Sequence, residues 1–250
     1  MIPKIIHLCW LSGEPYPDKI AKCISTWQKY LPDYEIMIWD TSRFDVNSTI
    51  WTSQAYAVRK YAFVADYIRF FAVYNFGGIY LDSDVEVLKP FNSLLNLPYF
   101  IGEECLGTHL EVAAFGAEKG TQWVKDALDY YTDRPFIKPD GTFDTTISPK
   151  IMEAVLFSKY KKVNIKTPNT FSYEKNDICV FPNWMLCGRK WLNGGKGKIV
   201  YDVNKETFCI HHFAHTWAEF PGGPLHKLYF RITGKDWYMH YFGNFELYHK

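Results

Sequence analysis

The sequence predicts an α/β fold with a mostly parallel central sheet flanked by helices. Residues 4–40 read strand, helix, strand, the order of a βαβ unit. A second helical pattern then ends at the glycine pair Gly77-Gly78 and runs straight into the apolar strand IYL. The 250 residues, 48% of them hydrophobic, hold no repeat or polar linker, which suits one enzyme-sized core.

The first strand is KIIHLCWL, Lys4 to Leu11, ended by Ser12-Gly13. Ile20, Ile24, Trp27 and Leu31 recur at helical spacing until Pro32, and YEIMIWD, Tyr34 to Asp40, is the second strand. From about Ser53 to Phe76 an aromatic-rich stretch without glycine or proline predicts one long, largely buried helix. YFIGEE, Tyr99 to Glu104, is another strand, and helices are expected near 119–131 and 150–160, the latter with Ser148-Pro149 as N-cap and first turn. The last third holds strand-like VNIKT, CVFPNW and TFCIHHF around a basic glycine loop, 188–198, read as an exposed hairpin or a flap over diphosphate or acceptor. A boundary near Pro221 separates a domain of residues 1–220 from a tail, 221–250, that packs on the domain or faces an acceptor or a membrane surface.

Composition narrows the function classes. Lysine plus arginine number 28 against 27 acidic residues, so no global field recruits nucleic acid. The N-terminal apolar run is too short for a signal peptide and no stretch reaches membrane-span length, so the chain is expected in the cytoplasm, with peripheral membrane contact as an option. The six scattered cysteines lack CxxC spacing and are expected as reduced thiols. Aromatic residues make up 18% of the chain, which suits either a sugar-stacking cleft or a ring-filled core.

The chemistry concentrates in GGIYLDSDVEV, where Asp82, Asp84 and Glu86 alternate behind a buried strand. Ligands of open α/β sheets bind outside the carboxyl ends of strands. Strand alternation would aim all three carboxylates one way, and at roughly 5 Å apart with an effective dielectric near 20 each pair repels by on the order of 3 kcal/mol. A divalent ion with oxygen ligands, Mn²⁺ or Mg²⁺, offsets that repulsion. An EF-hand fits badly, since Val87 stands where its loop turns on glycine. Upstream, Asp66 and Arg69 share a helix face, and the glycine reversal brings them toward the same cleft, where they can bind sugar hydroxyls. Near the end, FCIHHFAHTWAEF sends His211, Phe213 and His215 to one side and His212 to the other.

The segments AFVADYIRF and GGIYLDSDVEV resemble the DXD sugar-binding region of glycosyltransferase family 32, and are similar to the donor site of the clostridial glucosylating toxins. Ala65 stands where a serine is common; the resemblance spans roughly residues 1 to 105 and HHFAHTW. It implies a GT-A fold, a nucleotide-sugar donor, a Mn²⁺ or Mg²⁺ ion on the diphosphate and retention of configuration. By position, Asp82 would hold ribose and sugar hydroxyls and reach the ion, Asp84 would ligate it directly, and Asp66 and Arg69 would grip the donor sugar. Trp10 matches a uracil-stacking tryptophan. The late metal ligand would be His211, with His212 as the alternative, while His215, Thr216 and Trp217 would serve the diphosphate.

The expected activity is hexose transfer from a UDP-sugar (galactose, glucose or GlcNAc) to a saccharide or lipid-linked acceptor in bacterial polysaccharide or capsule synthesis, with GDP-mannose as the alternative donor. Asp66, Arg69 and Asp84 are the expected catalytic residues, with Glu103 and Glu104 left open as participants. Rival classes are a haloacid-dehalogenase-like phosphotransferase using Asp82 as nucleophile and a non-catalytic glycan-binding module.

Overall fold

The structure, a computed structural model, describes residues 1–105, 109–192 and 199–214. Its centre is a five-stranded sheet of order β2-β1-β3-β6-β5, built from β1 (Ile5–Cys9), β2 (Glu35–Trp39), β3 (Gly78–Leu81), β5 (Tyr99–Glu103) and β6 (Leu110–Ala117). β1 pairs parallel with both β2 and β3, and β6 pairs antiparallel with both β3 and β5. Four strands therefore share one direction and only β6 opposes them. With helices against it, this is the α/β architecture that the strand and helix patterns predict.

Helix α1 (Asp18–Tyr30) buries Ile20, Cys23 and Trp27, as its spacing requires. Its indole at Trp27 donates to the Val85 carbonyl at 2.7 Å, and the Thr26 hydroxyl accepts from Val87 N at 2.9 Å, so α1 ties down the short strand β4 (Val85–Val87). β4 pairs antiparallel with β11 (Cys209–His211), with Val85 opposite His211. Chain segments far apart in sequence thus meet beside the open end of the main sheet.

The single long helix expected from about Ser53 to Phe76 is two helices, α2 (Ile50–Ala57) and α3 (Tyr61–Phe76). The break carries neither glycine nor proline; Arg59 adopts φ 56°, and the Lys60 N–H turns back to the Ala55 carbonyl at 2.9 Å. Folding α2 back buries Trp51 completely, with its indole donating to Phe63 O at 2.7 Å. That burial outweighs continuity of the helix.

At the other end of α3 the glycines are required by geometry. Gly77 has φ +67° and Gly78 φ +106°, and a Cβ would lie 2.8 Å from Lys119 N at the first and 2.7 Å from Ile5 O at the second. The chain reverses there so tightly that β3 lies beside β1.

The remaining elements are α4 (Gln122–Asp129), α5 (Ser148–Leu156), the parallel pair β7 (Lys161–Asn164) and β8 (Asp177–Val180), α6 (Asn183–Leu186), and the antiparallel pair β9 (Arg189–Trp191) and β10 (Ile199–Tyr201), of which α5, α6 and β8 pack against the main sheet. Strands β9 and β10 flank the basic glycine loop as an antiparallel pair, and 193–198 between them lie outside the described residues. Much of the aromatic content fills the core: Trp27, Trp51, Phe70, Phe91, Phe100 and Phe115 are all fully buried. The six cysteines are free thiols, five of them buried. Among the described residues no helix is long and apolar enough to cross a membrane. The boundary near Pro221 and the tail after it lie outside the described residues.

Candidate functional site

β3 ends at Leu81, and a turn closed by Val85 N to Asp82 O at 3.0 Å separates it from β4. This turn overturns the expectation that Asp82, Asp84 and Glu86 alternate along one strand. Asp82 and Asp84 remain on the open side of the turn, whereas buried Glu86 on β4 meets His212 Nε2 at 2.8 Å. The side-chain period of two restarts after the turn, so Glu86 leaves the group.

β11 completes the cluster. Asp82, Asp84 and His211 each offer one ligand atom, and these atoms lie within 4.8 Å of one another. Asp84 is fixed by Ala214 N–H donating to its Oδ2 at 2.7 Å, and its carbonyl accepts from His212 N at 3.2 Å. His211 Nε2 lies 3.7 Å from Asp84 Oδ1, while Nδ1 lies 3.2 Å from Oε1 of Glu111, a fully buried carboxylate on β6. Nδ1–H donation to Glu111 leaves the Nε2 lone pair for the aspartate side. Two carboxylates and an imidazole oriented by an outer carboxylate suit a divalent ion such as Mn²⁺ or Mg²⁺. Burial alone would lower the His211 imidazole; Glu111 and Asp84 reverse that and hold it up at about 10. The proton and a metal ion compete for one site.

The helix side contributes a charged network on α3. Arg69 Nη2 donates to Asp66 Oδ1 at 2.8 Å and lies 3.5 Å from Asp82 Oδ1, while Nη1 donates to the Val112 carbonyl at 3.0 Å. Tyr80 on β3 donates its hydroxyl to Asp82 Oδ1 at 2.7 Å and presents its ring 4.9 Å from the guanidinium. Asp66 and Arg69 are both buried, so they form no solvated surface pair. Burial raises the Asp66 carboxyl above its ordinary range, opposed by Arg69 and by a hydrogen bond from Ser148. Ser148 thereby differs from the expected N-cap. Ile147 occupies that position, and the Ser148 hydroxyl is spent on Asp66 at the mouth of α5.

Trp10 follows β1 directly, and the register His7↔Tyr80 sets the end of β1 beside the end of β3. Its indole N–H donates to Glu14 O at 2.7 Å and its ring meets Tyr16 edge-on at 4.8 Å, so it offers a face rather than a donor. His212 lies with Glu86, away from the His211 cluster. Lys162 Nζ holds Glu103 at 2.8 Å, a link between β5 and β7. Burial and the neighbouring Glu111 charge push the Glu104 carboxyl up to about 7. His215, Thr216 and Trp217 lie outside the described residues.

Glu111, Tyr80 and Ser148 are members of this site that sequence reasoning missed. Glu111 had one usable signal, a lone carboxylate inside the otherwise apolar LEVAAFGA. Such a buried charge requires a partner.

Residues 17–101 match the family described as "Glycosyltransferase sugar-binding region containing DXD motif". Among curated relatives, inositol phosphoceramide mannosyltransferase 3 of Schizosaccharomyces pombe (strain 972 / ATCC 24843) is 36% identical over 104 residues, 40% of this chain and 29% of the relative. Inositol phosphoceramide mannosyltransferase 2 of the same organism is 31% identical over 109 residues, 40% of this chain and 30% of the relative. The chain spans about a third of the length of the curated relatives it matches. Among solved structures, the PaToxG glycosyltransferase aligns with TM-score 0.47 and 21% identity over 63% of this chain and 68% of that one. A glycosyltransferase involved in the glycosylation of the major capsid of PBCV-1 aligns with TM-score 0.42 and 13% identity over 83% and 92%.

Proposed function

We propose that this chain is a metal-dependent glycosyltransferase that moves a hexose from a nucleotide sugar to a saccharide or lipid-linked acceptor, with retention of configuration. The observation that carries the proposal is the convergence of Asp82, Asp84 and His211 ligand atoms within 4.8 Å, next to the buried Asp66–Arg69 pair. A divalent ion held by these three residues supplies Lewis-acid stabilisation of charge on the departing diphosphate.

Each protein group then has a defined task. Glu111 keeps Nδ1 of His211 protonated, so that Nε2 serves as ligand. Arg69, held by Asp66 and the Val112 carbonyl, fixes Asp82 at the inner edge of the cluster, and Tyr80 fixes the same oxygen from the strand side. Asp66 accepts from donor-sugar hydroxyls and places negative charge near the ring as it acquires oxocarbenium character. Trp10, at the neighbouring strand end, stacks on the base. Trp10 and Asp82 directly follow the adjacent parallel strands β1 and β3, at the carboxyl ends where α/β sheets bind nucleotides.

The Trp10 position supports a uridine donor; the names of the curated relatives favour mannosyl transfer, the second reading, for which GDP-mannose is the alternative donor. Those names also support a lipid-linked acceptor. For this chain we place the reaction on the cytoplasmic side, at or near a membrane surface. The test is donor turnover, hydrolysis or transfer, from UDP-hexoses and GDP-mannose with and without Mn²⁺. Turnover should require the ion and fall at least a hundredfold in Asp84→Asn. Turnover indifferent to chelator and to that substitution refutes the proposal.

A further inference from the structure

Tyr131 follows α4 and is 1% exposed. Its ring packs edge-on against Trp51 at 5.0 Å and Tyr67 at 5.9 Å. The hydroxyl is buried and has no hydrogen-bond partner among the described residues, and the same is true of Arg69 Nε. A buried tyrosine hydroxyl without a partner is rare, since the lost hydration is uncompensated. Phenylalanine would keep every ring contact and avoid that penalty.

The hydroxyl's surroundings indicate what it pairs with. The contact with Tyr67 sets the phenol against α3 at the residue next to Asp66, where the Asp66 and Arg69 charges both act on it. Asp66 already accepts from Arg69 and Ser148, and Arg69 already donates to Asp66 and the Val112 carbonyl. The missing partner must be small, uncharged and able to donate and accept at once. A hexose hydroxyl has that chemistry: it can accept from Tyr131 while donating to the Asp66 carboxylate.

We propose that Tyr131 is a donor-sugar-binding residue, its hydroxyl bonded to a hydroxyl of the transferred hexose next to Asp66. This rests on the donor assignment given above and adds to it a residue just after α4 that recognises the sugar rather than the nucleotide.

Tyr131→Phe removes one oxygen and leaves the packing unchanged. The full chain, with Mn²⁺, is titrated calorimetrically with UDP-glucose, UDP-galactose and GDP-mannose, and in parallel with UDP and GDP. For the nucleotide sugar that the wild type binds, Y131F should weaken affinity roughly five- to tenfold, with the matching free nucleotide unchanged and the melting temperature equal or higher. Equal affinity of wild type and Y131F for the nucleotide sugar overturns the inference, leaving only a water at the hydroxyl. Equal loss for nucleotide and nucleotide sugar also overturns it, since the role is then structural. A wild type that binds no nucleotide sugar overturns the donor assignment and this inference with it.

Discussion

Replacing Arg69 with methionine removes the cation that two carboxylates share. The guanidinium is 2.8 Å from Asp66 and 3.5 Å from Asp82. At an effective dielectric near 20 those attractions amount to roughly 6 and 5 kcal/mol. Asp82 is partly exposed, so its share is screened, and the desolvation of three ions offsets much of the remainder. Removing one partner of a buried pair costs about 3–5 kcal/mol, and about 4 is expected here, against a typical domain stability of about 5–15 kcal/mol. The pH dependence identifies the cause. Without Arg69 the Asp66 carboxyl, already raised by burial, rises further. A folded-state carboxyl above its unfolded value destabilises at high pH, and the penalty fades as pH falls through the folded value. Urea unfolding of wild type, R69M and D66N/R69M at pH 8 and pH 5.5 measures this. The R69M loss should shrink at pH 5.5, and the double variant should recover about 1–2 kcal/mol of it at pH 8. A loss below about 1 kcal/mol, or one that neither acid nor Asp66→Asn relieves, refutes the buried-charge account.

Two further predictions concern protons. Burial lowers His7 to about 4, with its Nε2 2.7 Å from Gly77 O and its Nδ1 accepting from the Trp39 indole at 3.1 Å. The unfolded chain takes up that proton near pH 6.5 and the folded chain does not, so this contribution is complete above pH 6.5 and about 3 kcal/mol is lost between pH 6.5 and 4. The His7 ring resonances should stay constant from pH 8 to 5; a midpoint near 6.5 contradicts this. Because the metal-free His211 proton persists to about pH 10, Mn²⁺ uptake at pH 7.5 should expel about one proton, with affinity rising about tenfold per pH unit. Calorimetry in buffers of different ionisation enthalpy reads the proton count, and zero release is the opposing result.

Features set by a few neighbouring residues were legible in the sequence. The opening βαβ unit follows from hydrophobic period, and the glycine pair from two left-handed φ values at a helix end. The common face of Asp66 and Arg69, and the opposite sides of His211 and His212, follow from helix and strand periods. Where a neighbour remote in sequence decided the outcome, local pattern failed. Trp51 found a buried place that split the long helix at Arg59. The Asp82–Val85 turn restarted the alternation and sent Glu86 to His212. Ser148 gave its hydroxyl to Asp66 instead of capping α5.

By itself, then, the sequence determined the buried strand that leads to Asp82 and Asp84, the tight reversal before it and the helix that carries Asp66 and Arg69. Steric limits on φ and the periods of helix and strand act over a few residues and need no partner. Only the tertiary structure decided that His211 meets the aspartates, that Glu111 orients it, and that Tyr131 packs on Tyr67 of α3 with its hydroxyl lacking a partner among the described residues. Those contacts depend on the pairing of β11 with β4 and the packing of α4 against α3. Hydrophobic burial selects such arrangements over the whole chain at once, and no short stretch of sequence encodes them.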